Sequence, residues 1–149
     1  MSIPASSSRH TYVGDRIGKD DHDCTHTTLR DRNSRCRIAV RDQDKALTFY
    51  TGVLGLHKQV DVTLPQLGGR WITLAPPGSA TSLALVPASD TNPAGVETGI
   101  RLAVGDVPAM RDHLRHHATV GQLLRWEGVP TMFAFRDPDG NGLEIVQGV

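Results

Sequence analysis

The chain has 149 residues, its 16 Lys and Arg balance its 16 Asp and Glu, and 38 % of it is hydrophobic. That length suits one domain, or two small modules sharing a core. Neutrality argues against a nucleic-acid surface. No run is apolar and long enough for a bilayer, and MSIPASSSRH lacks the apolar stretch of a secretory signal, so no membrane partner and a cytoplasmic location are expected.

Residues 1–34 are polar, rich in Ser, Asp, Thr and Arg, and show almost no apolar periodicity, which predicts a flexible arm. Within it His22, Cys24 and His26 alternate beside aspartates, but no second cluster at zinc-site spacing accompanies them. Cys24 and Cys36 read as free thiols, given an intracellular-looking chain.

From Arg35 the pattern sharpens. RCRIAVRD reads as a strand. DQDKALTFYTGVLG reads as a helix, with Asp42 placed to cap it, an apolar stripe through Ala46, Phe49, Tyr50 and Val53, and Gly55 to stop it. On that helix Phe49 is expected to pack and Tyr50 to be half exposed. GGRWITLAPPG and TSLALVP are strands around a Pro-Gly turn, DTNPAGVE is a linker, and GIRLAVGDVPAMRDHLRHH repeats strand then helix. TMFAFRDPDG and NGLEIVQ close the chain as two strands around a turn, with Phe133 and Phe135 sharing a core face.

The halves repeat one another. RIAVRD at 37–42 matches RLAVGD at 101–106, and WITLAPPG matches FAFRDPDG, with Pro76 and Gly78 standing where Pro138 and Gly140 stand. With two residues of slippage SLALV matches GLEIV, so Ala84 is the counterpart of Glu144. The polar arm 1–34 therefore precedes one domain, 35–149, of two modules at about 35–88 and 98–149. A unit that cannot bury its own sheet repeats for that reason. The helix covers one face of each sheet, and the other face opens on a shared cavity. Alternation puts Arg35, Arg37, Arg101 and Glu144 on that open face.

VRDQDKALTFYTGVLGL, RWITLAPPGS and FRDPDGNGLEIVQ together resemble the vicinal oxygen chelate superfamily of glyoxalase I, bleomycin-resistance proteins and extradiol dioxygenases. The resemblance implies an α+β fold of paired βαβββ modules curling into an open, U-shaped barrel, and a homodimer. Metal-binding members place four ligands at positions matched here by Arg35, Ala84, Gly99 and Glu144. Only Glu144 could ligate, so no metal and no other cofactor is expected.

Buried charges need partners, so Glu144 is expected to bond an arginine, Arg101 first. The pair could be internal glue, or one arginine could grip an acidic or carbonyl-bearing ligand. Glu144 as a general base is the weak catalytic candidate, opposed by a neighbouring arginine. Trp71 and Trp126 could stack on a flat ligand, as aromatics do in drug-sequestering members, or simply pack. The candidate ligand-binding set is thus Arg35, Arg37, Trp71, Arg101, Trp126 and Glu144. The leading reading is metal-independent binding of an unidentified small molecule, acidic or aromatic. Beside it stand a lyase, isomerase or dioxygenase-like enzyme with a rebuilt site, and a structural or regulatory dimer with a residual cavity. DPDGNG lacks the features of a phosphate or calcium loop and reads as a turn.

Overall fold

A computed structural model describes residues 35–148. The expectations for the arm, including the alternating His22, Cys24 and His26, lie outside the described residues. The elements run β1 (Arg35–Val40), α1 (Gln43–Thr48), a π-helical turn (Phe49–Val53), β2 (His57–Leu64), a 3-10 turn (Pro65–Leu67), β3 (Gly69–Ala75) and β4 (Ser82–Pro87). Then follow β5 (Glu97–Val104), α2 (Val107–Leu114), β6 (Thr119–Val120), β7 (Met132–Arg136) and β8 (Gly142–Gln147). The strands form two four-stranded sheets, ordered β1-β4-β3-β2 and β5-β8-β7-β6. In each the first strand lies parallel to the last and the other pairs are antiparallel. This is the paired βαβββ arrangement of the glyoxalase-like α+β fold.

Both helices start where the sequence places a cap. Asp42 accepts from Asp44 N and Lys45 N at 3.0 Å each, and Asp106 accepts from Ala109 N at 2.9 Å. After Thr48 the first helix widens into the π turn, then ends at Gly55 in a left-handed conformation (φ 73°). The widened turn buries both Phe49 and Tyr50, edge to face at 5.3 Å. Tyr50 is 0 % exposed, not the half-exposed residue its place in the stripe suggests.

One core joins the two modules. Ile38, Ile72 and Leu85 of the first sheet and Phe133, Phe135 and Ile145 of the second belong to one cluster with Phe49 and Tyr50. The rings of Phe49 and Phe135 lie 6.4 Å apart. His113 of α2 bonds the Val53 carbonyl at 2.9 Å, so the end of the π-helical turn meets α2. The first helix also pins its own sheet, because Gln43 donates to the carbonyls of Arg70 and Leu85.

Two strands escaped the alternation rule. β2 is an edge strand and nearly every residue in it is exposed, so HKQVDVTL carries no period to read. It is held by its antiparallel ladder to β3, and Arg70 of β3 adds ion pairs, to Asp61 at 2.5 and 2.7 Å and to Asp44 of α1 at 2.6 Å. β6 has only two residues. Cys36, expected as a free thiol, is disulfide-bonded, with its partner outside the described residues. No helix among the described residues is long and apolar enough to cross a membrane.

Candidate functional site

Each sheet has a helix-covered face and an opposite face, which is exposed at Ala134 on the second sheet but buried at Thr73 and Ala84 on the first. On the first, Ile38, Ile72 and Leu85 point to the helices, while Arg37, Trp71, Thr73 and Ala84 alternate to the other side. On the second, Leu143 and Ile145 point inward, and Arg101, Ala134 and Glu144 occupy the open face. The register makes matching rows. Arg37 pairs with Ala84, and Ala84 with Thr73. Arg101 pairs with Glu144, and Glu144 with Ala134.

Within the second row Arg101 Nε donates to Glu144 Oε2 at 2.5 Å. The partnership read from the sequence is therefore present, but its setting differs. The side chains are 56 % and 36 % exposed, so this ion pair is half in water, and its contribution to stability is at the low end for such pairs. Arg101 spends Nε on the carboxylate. Its two Nη groups meet no partner among the described residues, which leaves the outer edge of its planar fork for another acceptor.

The other candidates are spread more widely. Arg35 opens β1 opposite Ser82, and Arg37 follows two residues later, exposed. Trp71 is half-buried opposite Val62 on β2. Trp126 is 61 % exposed in the loop before β7 and joins no strand. No hydrogen bond, ion pair or ring contact among the described residues ties either tryptophan to the Arg101–Glu144 pair.

The residues do not fit a metal of the kind the fold family implies. Ala84 offers no donor, Gly99 has no side chain, and the single carboxylate, Glu144, is held by a guanidinium. No three His, Cys, Asp or Glu side chains among the described residues are grouped to hold an ion. Gly99 also departs from its counterpart at Arg35. β5 carries a bulge against β8 between Glu97 and Arg101, and Gly99 takes φ 70° inside it, where a side chain would be strained. Thr98 closes the bulge through its hydroxyl, which donates to the Gly142 carbonyl at 2.7 Å and accepts from Ile100 N at 3.2 Å.

One buried polar group in this half was read only as a turn. Asp137 is 5 % exposed and accepts four bonds: from Tyr50 Oη at 2.8 Å, Asn141 Nδ2 at 3.0 Å, and the backbone N–H groups of Asp139 and Asn141 at 2.9 Å each. Asn141, fully buried, also donates to the Ala39 carbonyl at 2.9 Å and accepts from Gly95 N at 2.8 Å. The β7–β8 turn is thereby clasped to β1 and the π-helical turn of the other module. Burial, then the adjacent Asp137 carboxylate, push the Tyr50 hydroxyl well above its ordinary pKa, so it stays a donor. The sequence held one signal for this clasp: Ala75 and Ser79 fill the matching places in the first turn.

Two sheets of this topology, with paired strand-helix-three-strand modules and an open face, define a glyoxalase-like protein. The comparisons say which family. The sequence model of the Glyoxalase/Bleomycin resistance protein/Dioxygenase superfamily matches residues 32–145, and the chain belongs to that superfamily. Uncharacterized protein YurT of Bacillus subtilis (strain 168) is 31 % identical over 121 residues, 74 % of this chain and 94 % of that one. A glyoxalase/bleomycin resistance protein from Streptomyces sp. CB03234 superposes with a TM-score of 0.68 at 33 % identity, covering 77 % of this chain and 99 % of its own. TnmS3, an antibiotic binding protein from the same organism, gives 0.69 at 29 %, covering 83 % and 100 %.

Proposed function

We propose that this protein binds a small planar molecule bearing an acidic group, without a metal, as a sequestration protein rather than an enzyme. The observation that carries the reading is the Arg101–Glu144 pair. It puts a guanidinium on the carboxylate that stands at a metal-ligand position in metal-binding members of the fold, and leaves the two Nη groups without a partner among the described residues. A carboxylate or phenolate would meet those groups in a planar, two-pronged contact. Trp71, on the corresponding face of the first sheet, supplies a ring to stack on. The antibiotic-binding relative at 29 % identity supports the binding of a small molecule. The reading places the protein in the cytoplasm as a homodimer, with Trp126, exposed in its loop, available to a ligand or to the second copy.

The test is titration of tryptophan fluorescence with anthraquinone-2-carboxylate. Saturable quenching is expected, weakened about tenfold in Arg101→Ala through loss of a charge-assisted contact. Quenching that is linear in concentration, or equally strong in Arg101→Ala, would end this reading.

A further inference from the structure

A second cavity of about 430 Å³ lies along the outer edge of β5, between the modules. Its wall is mostly apolar: Leu54 and Leu56 after the first helix, Met110 of α2, and Leu102 and Val104 of β5. Its rim is the β3–β4 turn, with Pro76, Pro77 and Ser79. These are largely helix-side residues, so this cavity is distinct from the open face, although Arg101 flanks it.

The repeat explains why a cavity is here. At the end of β1, Val40 turns its carbonyl to its own sheet, where Ala88 N donates at 2.9 Å. The preceding carbonyl, Ala39, therefore points to the outer edge, and Asn141 Nδ2 reaches over from the other module to bond it. β5 has the same layout. Val104 accepts from Gly148 N at 2.8 Å, so the Ala103 carbonyl points to the outer edge. There the matching turn brings no amide. Ser79 stands in the place of Asn141, and its hydroxyl is spent within its own turn on Thr81. Ala75 replaces Asp137, and Leu114 replaces Tyr50. Where one side of the pseudo-symmetric pair is filled by a clasp, the other, among the described residues, is a space with Ala103 in its wall.

We infer that this cavity is a second binding site, for a small, mainly apolar molecule carrying an amide or amine N–H. Such a molecule reproduces what Asn141 does on the other side: its apolar body covers Leu54, Leu102 and Met110, and its N–H bonds the Ala103 carbonyl. The volume is within the usual range for ligand sites, about 300–1,000 Å³. The Ala103 carbonyl supplies a directional contact on the β5 side, opposite the rim that carries Ser79, Thr81 and Ser82.

The test uses acetanilide and N-methylacetanilide, which share a ring and a carbonyl but differ in the N–H. Methyl shifts of Leu54, Leu102 and Met110 are followed by NMR in the full chain. Saturable shifts with acetanilide are expected, with N-methylacetanilide about fivefold weaker, the worth of one hydrogen bond. Met110→Trp and Leu54→Phe, which fill the space from opposite sides, should each abolish the shifts while retaining the wild-type circular dichroism. No shifts up to the solubility limit, equal affinity for the two compounds, or shifts centred on Trp71 would overturn the inference. The open-face reading is judged separately, by tryptophan quenching in the wild type and in Leu54→Phe, which adds no tryptophan, since Arg101 flanks both sites.

Discussion

Replacing Tyr50 by Phe removes one oxygen from the centre of the molecule. The ring still fills its place against Phe49, so the packing term is small and the loss isolates one hydrogen bond. That bond runs at 2.8 Å to Asp137, a carboxylate 5 % exposed, which would keep Asn141 Nδ2 and two backbone N–H groups. A hydrogen bond to a charged group contributes about 1.5–3 kcal/mol, so a loss of about 2 kcal/mol is expected. For a domain of this size that lowers Tm by on the order of 8 °C, read by circular dichroism, with urea unfolding as the independent measure. The pH dependence adds a second check. The folded pKa of Tyr50 lies above its unfolded value near 10, so the folded state holds a proton that the unfolded state releases. This stability is fully present below pH ~10 and is lost as pH rises through the folded value. The wild type should therefore lose its advantage over Tyr50→Phe above pH ~10, while the gap stays constant from pH ~7 to ~9. A variant within about 0.5 kcal/mol of wild type at neutral pH, or a gap that does not narrow in alkali, would refute the clasp.

Two further outcomes test the charged groups. After incubation with zinc, manganese, iron and nickel and thorough desalting, elemental analysis should find far less than one metal per chain; a full equivalent that disappears in Glu144→Gln would restore a metal site. The Asp61 carboxyl, held by hydrogen bonds from Arg70 and then Lys58, should titrate well below the usual carboxylate range in side-chain NMR, and Arg70→Ala should return it to that range. Its contribution is present above the unfolded value of about 3.9 and lost as pH falls through the folded one; a midpoint near 3.9 in the wild type would mean that Arg70 does not hold Asp61 in solution.

The open-face ion pair and the clasp have different consequences. Arg101 and Glu144 are half in water, so altering them should change binding more than stability. Tyr50, Asp137 and Asn141 are buried, so altering them should change stability first. This difference lets a binding defect in Arg101→Ala be read as a site effect rather than as unfolding.

Much of the architecture follows from the sequence alone, because it depends on patterns within short segments. Alternation in RIAV, RLAV and GLEIV assigns strand faces, since a side-chain period of two is a property of the strand itself. Asp42 and Asp106 mark helix starts because a cap is satisfied two or three residues away. The place of Arg101 in the same module and on the same face makes it the first candidate partner of Glu144, and the structure pairs them. The sequence did not disclose β2, whose exposed residues carry no period, or the bulge at Gly99, which a regular alternation conceals. Only the tertiary structure decided that the DPDGN turn is a buried clasp and that the matching turn leaves a cavity. Both depend on which distant segments meet: Tyr50 with Asp137, Asn141 with Ala39, Pro76 with β5. A hydrogen bond across such a separation is set by how two modules dock, and docking leaves no period in the chain.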